Sequence, residues 1–417
     1  MAIWHINGGN RLEGSCRVQG SKNAVLPMLA ASLITASETE LLNVPQLSDV
    51  SASLEILRHL GCKAEQRFND VYIDSHEITE TSVPEKMMRS MRSSVLFMGA
   101  LLVRCGEARI CTPGGCNIGK RPIDMHLDVM RSLGAEVIQT GDEIVCRASK
   151  LTGNRIVLPF ASVGATESAM LAACGAEGKT EIIGAAREPE IIDLQEYLRK
   201  LGAYIYGAGT DKIVIDGFSP EKHVGHRVIP DRIAASTLLC AVAASGGKLE
   251  LTGVYPKHFS QIPHFLNAAG CDIITQITAL TLQSDGILKG VGEVTTLPYP
   301  GFPTDAQPLL MAALLKSRGE TVFTETIFEN RFGHVREMEK MGADISVSGN
   351  CAVLHGVKKL HGAKLTSSDL RGGAALVLAG LCAGGNTEIY DDGFIGRGYD
   401  RLDLTLRSLG ADISMEM

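Results

Sequence analysis

The sequence predicts an α/β protein of two domains, each assembled from three copies of one α/β unit, and three observations lead there. A segment ending in glycine recurs six times, as LRHLGC, MRSLGA, LRKLGA, LNAAGC, MEKMGA and LRSLGA, with Gly61, Gly134, Gly202, Gly270, Gly342 and Gly410 about 70 residues apart. Upstream of each lies a stretch of small apolar residues: AVLPMLAASLI, SSVLFMGALLV, ESAMLAACGA, STLLCAVAAS, PLLMAALLK and AALVLAGLCA. A glycine turn and a short strand follow that stretch, as in GKTEIIGA, GKLELTGV and GETVFTET.

The small-residue stretches are apolar nearly all round, the signature of a helix enclosed on every side. The glycine-ended segments carry apolar residues at helical spacing on one side, as at Ile123, Leu127, Met130 and Leu133. Their glycines suit a left-handed helix C-cap, after which a strand begins, and Pro122 suits a first helical turn. Six units divide into two groups of three. No linker rich in Pro or Ser separates the groups, and repeat counting sets the boundary near GHRVIPDR.

With 417 residues and 45% hydrophobic content, the chain exceeds one ordinary core, as two domains require. Lys plus Arg number 40 against 47 Asp plus Glu, net −7, which excludes a broad nucleic-acid-binding face and leaves room for small anionic ligands at a local cluster. MAIWHINGGNRLEGS is not a basic start followed by an apolar run, and no stretch nears the roughly 18 apolar residues of a membrane span, so a soluble cytoplasmic protein is expected. Eleven scattered cysteines without a C-x-x-C pair imply reduced thiols, mostly buried as small apolar residues. No His, Cys or carboxylate set has ligand spacing, so neither metal nor other cofactor is expected.

Several residues carry chemistry. In TPGGCNIGKRPID, Cys116 lies among glycines and just before Lys120 and Arg121, whose charges favour the thiolate of a group with ordinary pKa about 8.5. The glycines give the loop freedom to close as a lid over a ligand. Lys22 and Asn23 stand at a helix start, where backbone N–H groups are free, and Arg397 stands between Gly396 and Gly398. Asp305, in PGFPTD before an apolar helix, reads by itself as an N-cap; Ser162 and Gly164 read as an N-cap and a tight turn.

These motifs in order, GSKNAVLP, PGGCNIGKRPIDMH, SVGATESAML, YPGFPTDAQP, TETIFENRF, SSDLRGGAALVLAG and GRGYDRL, resemble the UDP-N-acetylglucosamine 1-carboxyvinyltransferases, a family of enolpyruvyl transferases, over nearly the whole chain. The resemblance implies a pair of inside-out α/β barrels joined by a two-stranded hinge: an N-terminal barrel of residues 20–229 with the Cys116 loop, and a C-terminal barrel of 230–417 completed by 1–19. It implies transfer of the enolpyruvyl group of phosphoenolpyruvate to the 3′-hydroxyl of UDP-N-acetylglucosamine, with release of phosphate, as the first committed step of peptidoglycan precursor synthesis. Lys22, Arg121 and Arg397 match the phosphoenolpyruvate contacts, with Arg331 and Arg371 beside them. Asp305 matches the base for the 3′-hydroxyl, and Cys116 the proton donor to the methylene. Asn23, Arg92, Pro122, Ile123, Asp124, Met125, Ser162, Val163, Gly164 and Ile327 match other substrate contacts. The chain departs from the family pattern at Phe160 and Ala161, at Ala234 and Ser236, and at Ile395 in GFIGRGY. Two alternatives stand beside this reading. One is 3-phosphoshikimate 1-carboxyvinyltransferase, which shares the fold and lacks the Cys loop; the other is a non-catalytic or altered-specificity paralogue.

Overall fold

The computed structural model describes residues 1–114, 118–119 and 122–416. They form two compact units. One gathers residues 1–19 and 230–416 together with Ile118 and Gly119; the other gathers the remaining described residues between 20 and 229. Each has its own hydrophobic core.

Helices of the unit around 20–229 are α1 (Lys22–Ala31), α2 (Ser48–His59), α3 (Glu85–Ser90), α4 (Leu96–Cys105), α5 (Asp124–Ser132), α6 (Val163–Ala173) and α7 (Pro189–Leu201). The other unit holds α8 (Arg232–Ser245), α9 (Gln261–Ala268), α10 (Gln307–Leu314), α11 (Val335–Glu339), α12 (Leu370–Cys382) and α13 (Leu402–Ser408). The six small-residue stretches are α1, α4, α6, α8, α10 and α12. Their apolar character on all sides has the expected cause: α8, α10 and α12 pack on one another, and α12 is buried from Arg371 to Cys382. Small side chains let such helices approach closely while strands cover their outer sides.

The glycine-ended segments are the partly exposed helices α2, α5, α7, α9, α11 and α13. All six glycines that follow them have positive φ, from 90° at Gly342 to 114° at Gly202, as a left-handed cap requires. Pro122 differs from expectation: α5 begins at Asp124, with Ile123 as its N-cap, so the proline precedes the helix.

Among the described residues, the unit with 230–416 carries three mixed four-stranded sheets, and the other carries two mixed four-stranded sheets, a three-stranded antiparallel sheet and a two-stranded parallel pair. A strand after an enclosed helix, such as Gly247–Thr252, pairs in parallel with one neighbour, Leu12–Arg17, and antiparallel with the other, Ala279–Ser284. The last sheet departs from simple repetition. There the first strand of the chain, Ala2–Asn7, lies between Asn386–Asp391 and Asp412–Glu416, with Trp4 opposite Ile389 and Met415. Trp4 and Ile6 are buried in that unit's core.

Candidate active site

Asp305 lies in a single 3-10 turn, Thr304–Ala306, just before α10. The N-cap position of that helix is held by Ala306, not by Asp305. The Asp305 carboxylate is clamped instead by two arginines from distant segments. Arg331 Nη2 donates to Oδ1 at 3.3 Å, while Arg371 donates to Oδ2 from Nε at 3.3 Å and from Nη2 at 3.2 Å. The arginines are 1% and 3% exposed, whereas the Asp305 side chain keeps 30% of its surface. Two enclosed cations thus hold one carboxylate that still reaches the outside.

The support behind this clamp comes from helix ends. Asp369 is the N-cap of α12, accepting from the backbone N–H groups of Arg371 and Gly372 at 3.0 Å each, and its Oδ1 also meets Arg331 Nη1 at 3.4 Å. One carboxylate therefore fixes both the helix start that carries Arg371 and the guanidinium of Arg331. Arg331 donates further to the Thr304 carbonyl, at 3.1 Å from Nε and 3.0 Å from Nη2. Buried Glu325 holds the turn from the other side, taking Thr304 Oγ1 at 2.9 Å and the Ile327 N–H at 2.8 Å. The Arg371 guanidinium lies 5.4 Å from the centroid of the Tyr399 ring, a cation–π arrangement. Burial opposes its charge, but Tyr399, Asp305 and Asp231 outweigh that and hold its pKa above the ordinary arginine value.

Arg397 ends the 3-10 turn Ile395–Arg397 and is half-buried; Asp391 fixes that turn by accepting from the N–H groups of Phe394 and Ile395. The Asn330 N–H, one residue before Arg331, donates to the Ile118 carbonyl at 2.9 Å. Cys116, Lys120 and Arg121 lie outside the described residues.

In the other unit, Lys22 opens α1 behind its N-cap Ser21 and is buried; its Nζ meets Asp49 Oδ2, in the first turn of α2, at 2.8 Å. Asn23 is half-buried beside it. Arg92 Nη2 donates to the Pro122 carbonyl at 3.0 Å, which ties it to the segment Pro122, Ile123, Asp124 and Met125. Ile123 is buried there and Asp124 exposed. Ser162 caps α6, accepting from Ala165 N–H at 3.3 Å. Val163 and Gly164 follow, and a Cβ on Gly164 would sit 3.0 Å from His126 Cε1, so the glycine makes room for the imidazole. That ring is fixed by Ser168 Oγ, 2.7 Å from Nδ1.

The comparisons with known proteins agree over the whole length. The family described as EPSP synthase (3-phosphoshikimate 1-carboxyvinyltransferase) matches residues 6–406. A relative from Caldanaerobacter subterraneus subsp. tengcongensis named UDP-N-acetylglucosamine 1-carboxyvinyltransferase 2 is 45% identical over 99% of this chain and 99% of its own. The chain belongs to the enolpyruvyl transferase family. A UDP-N-acetylglucosamine 1-carboxyvinyltransferase from Gluconacetobacter diazotrophicus is 44% identical over 98% of each chain. Among solved structures, the enolpyruvyl transferase NikO from Streptomyces tendae superposes with TM-score 0.89 at 26% identity, covering 99% of this chain and 98% of that one. EPSP synthase from Acinetobacter baumannii shares the fold, with TM-score 0.78 at 20% identity over the full length of both chains.

Within this enolpyruvyl transferase, sequence reading overlooked Asp49, Asp369, Glu325 and His334. Asp369 had a visible signal, an Asp two residues before Arg371 at the head of an apolar helix. Asp49 had a weaker one, an acid in the first turn of a helix. The cysteines are mostly buried, as expected: among the ten described, six are buried, Cys16, Cys111 and Cys351 are part-buried, and Cys105 at the end of α4 is exposed.

Proposed function

We propose that this chain transfers the enolpyruvyl group of phosphoenolpyruvate to the 3′-hydroxyl of UDP-N-acetylglucosamine and releases phosphate. The observation that carries the reading is the Asp305 clamp, in which one partly open carboxylate is aimed by two buried arginines. The near-full-length relatives bearing that enzyme's name support the choice of substrates. Asp305 takes the hydroxyl proton as the sugar oxygen bonds to the central carbon of phosphoenolpyruvate. Cys116 gives a proton to the methylene, forming a tetrahedral adduct. Loss of a methyl proton with departure of phosphate then restores the double bond. Position is what the base needs most, since a general base acts within hydrogen-bond reach. Lys22, Arg331, Arg371, Arg397 and Arg121 would meet the phosphate and carboxylate, each charge-assisted bond contributing roughly 1.5–3 kcal/mol.

On this reading Asn23, Arg92, Pro122, Ile123, Asp124, Met125, Ser162, Val163, Gly164 and Ile327 serve the sugar nucleotide. The two units, 20–229 and 230–417 with 1–19, are its N- and C-terminal barrels. The protein acts in the cytoplasm without a nucleic-acid partner. Phosphate release should be rapid with UDP-N-acetylglucosamine and absent with shikimate 3-phosphate as acceptor. Release with shikimate 3-phosphate alone would assign the sister activity, and release with neither would leave a non-catalytic paralogue.

A further inference from the structure

His334, just before α11, is 1% exposed, and among the described residues neither ring nitrogen has a hydrogen-bond partner. The Arg331 backbone still favours the charged form of the ring to a small degree. A ring that served only as filling would be better replaced by an apolar side chain, because buried polar atoms left unpaired are costly. Two charged groups face it. Burial opposes its protonation most strongly, Asp369 at the head of α12 favours it, and Arg331 from the ring's own segment disfavours it; together they push the pKa down to about 4.

Asp369 is lopsided in a way that matches. Its Oδ1 accepts from Arg331, Arg371 N–H and Gly372 N–H, while among the described residues no hydrogen bond is made to Oδ2. The ion pairs around it set Arg331 and Arg371 against Asp305 and Asp369, and buried Asp231 adds a further negative charge acting on Arg371. An anion drawn to the arginines competes with Asp369 for Arg331.

We propose that His334 is a proton-linked positioning residue: when an anionic phosphate or carboxylate group engages Arg331 and Arg371, the His334 ring takes a proton from solvent and donates a hydrogen bond to Asp369 in place of Arg331. Asp369 keeps a cationic partner, α12 keeps its cap, and Arg331 is freed for the ligand. This rests on the reading that the arginine pair holds the substrate's anionic groups. Linkage makes the effect reciprocal, so the anion binds more tightly as pH falls towards the ring's anion-free midpoint.

Sulfate is a suitable probe because it stays doubly charged across the range of interest. Histidine-selective 13C NMR of the full chain, with the His334 resonance assigned by its loss in His334→Gln and in His334→Asn, reads the ring's midpoint with and without sulfate. The midpoint should rise by about one unit or more on saturation, and sulfate affinity should approach a tenfold gain per pH unit between the two midpoints, a gain absent in His334→Gln. A merely structural ring would show neither. An unmoved midpoint, in a protein whose sulfate affinity still falls on Arg331→Lys, would overturn the proton linkage and leave the anion site standing. Sulfate affinity indifferent to both Arg331→Lys and Arg371→Lys would overturn the anion site, and the linkage with it.

Discussion

Asp305 is fixed in direction by two arginines and still open to a ligand, so its amide variant separates holding from proton transfer. Asp305→Asn should lower kcat by about 10²–10⁴-fold while the KM for the sugar nucleotide stays within a few-fold, measured by phosphate release. Near-normal kcat would remove Asp305 from the base role. The thiol of Cys116 should be alkylated by a small phosphonate epoxide ahead of exposed Cys105, whose pKa burial raises despite Arg104. Peptide mass mapping should find the label on Cys116, faster with sugar nucleotide and slower with phosphoenolpyruvate; label shared with Cys105 would make Cys116 an ordinary thiol. Glu167 on α6 supplies a test of stability. Burial first, then the charges of Glu190 and Glu188, hold its carboxyl well above the ordinary 4.5. The folded chain thus keeps a proton that the unfolded chain releases, and its contribution is full below pH 4.5 and lost as pH rises through the folded value. Glu167→Gln should therefore resist urea better than the parent at about pH 8 and lose that advantage in acid.

At the scale of elements, the left-handed glycines after the outer helices differ in what surrounds them. Gly134 has nothing within 4 Å of a would-be Cβ, whereas at Gly202 the Ser219 carbonyl oxygen would lie 1.8 Å away. Gly134→Ala should cost only the backbone term, about 1–2 kcal/mol, and Gly202→Ala distinctly more, because the chain after α7 must also move. Equal shifts in thermal midpoint would show that the close approach relaxes freely. These helices were legible because each repeats one local pattern, apolar spacing followed by a glycine, six times over. Lys22, Asp305, Arg371 and Arg397 were legible through motifs of a known family, since each stands at a turn or helix start with a distinctive local sequence. Asp49 and Asp369 were not, because what matters about each is a partner far away in the chain, Lys22 for the first and Arg331, 38 positions off, for the second; nor was His334, whose burial no local pattern announces. Pro122 was misplaced for the opposite reason, as local preference allows a proline either inside the first turn or just ahead of it.

For the molecule as a whole, the strand Ala2–Asn7 is an interior member of a sheet otherwise built from the last residues of the chain. Removing residues 1–8 should expose Asn386–Asp391 and Asp412–Glu416 to protease and open the core around Trp4 and Ile6, each side chain contributing roughly 1.5–3 kcal/mol by burial. Limited proteolysis should then degrade the C-terminal unit and leave a resistant fragment near 20–229. Even digestion of both units would mean that they stand or fall together. The same strand also constrains the order of events at the ribosome. Everything around 20–229 is available to fold while the rest is still being translated. Ala2–Asn7 must wait about 20–80 s at ordinary elongation rates for neighbours encoded nearly 400 residues downstream, at Asn386–Asp391 and Asp412–Glu416. Until then its apolar side chains are clients for chaperones, and a stalled or prematurely released polypeptide leaves a finished first half tethered to a second that cannot close.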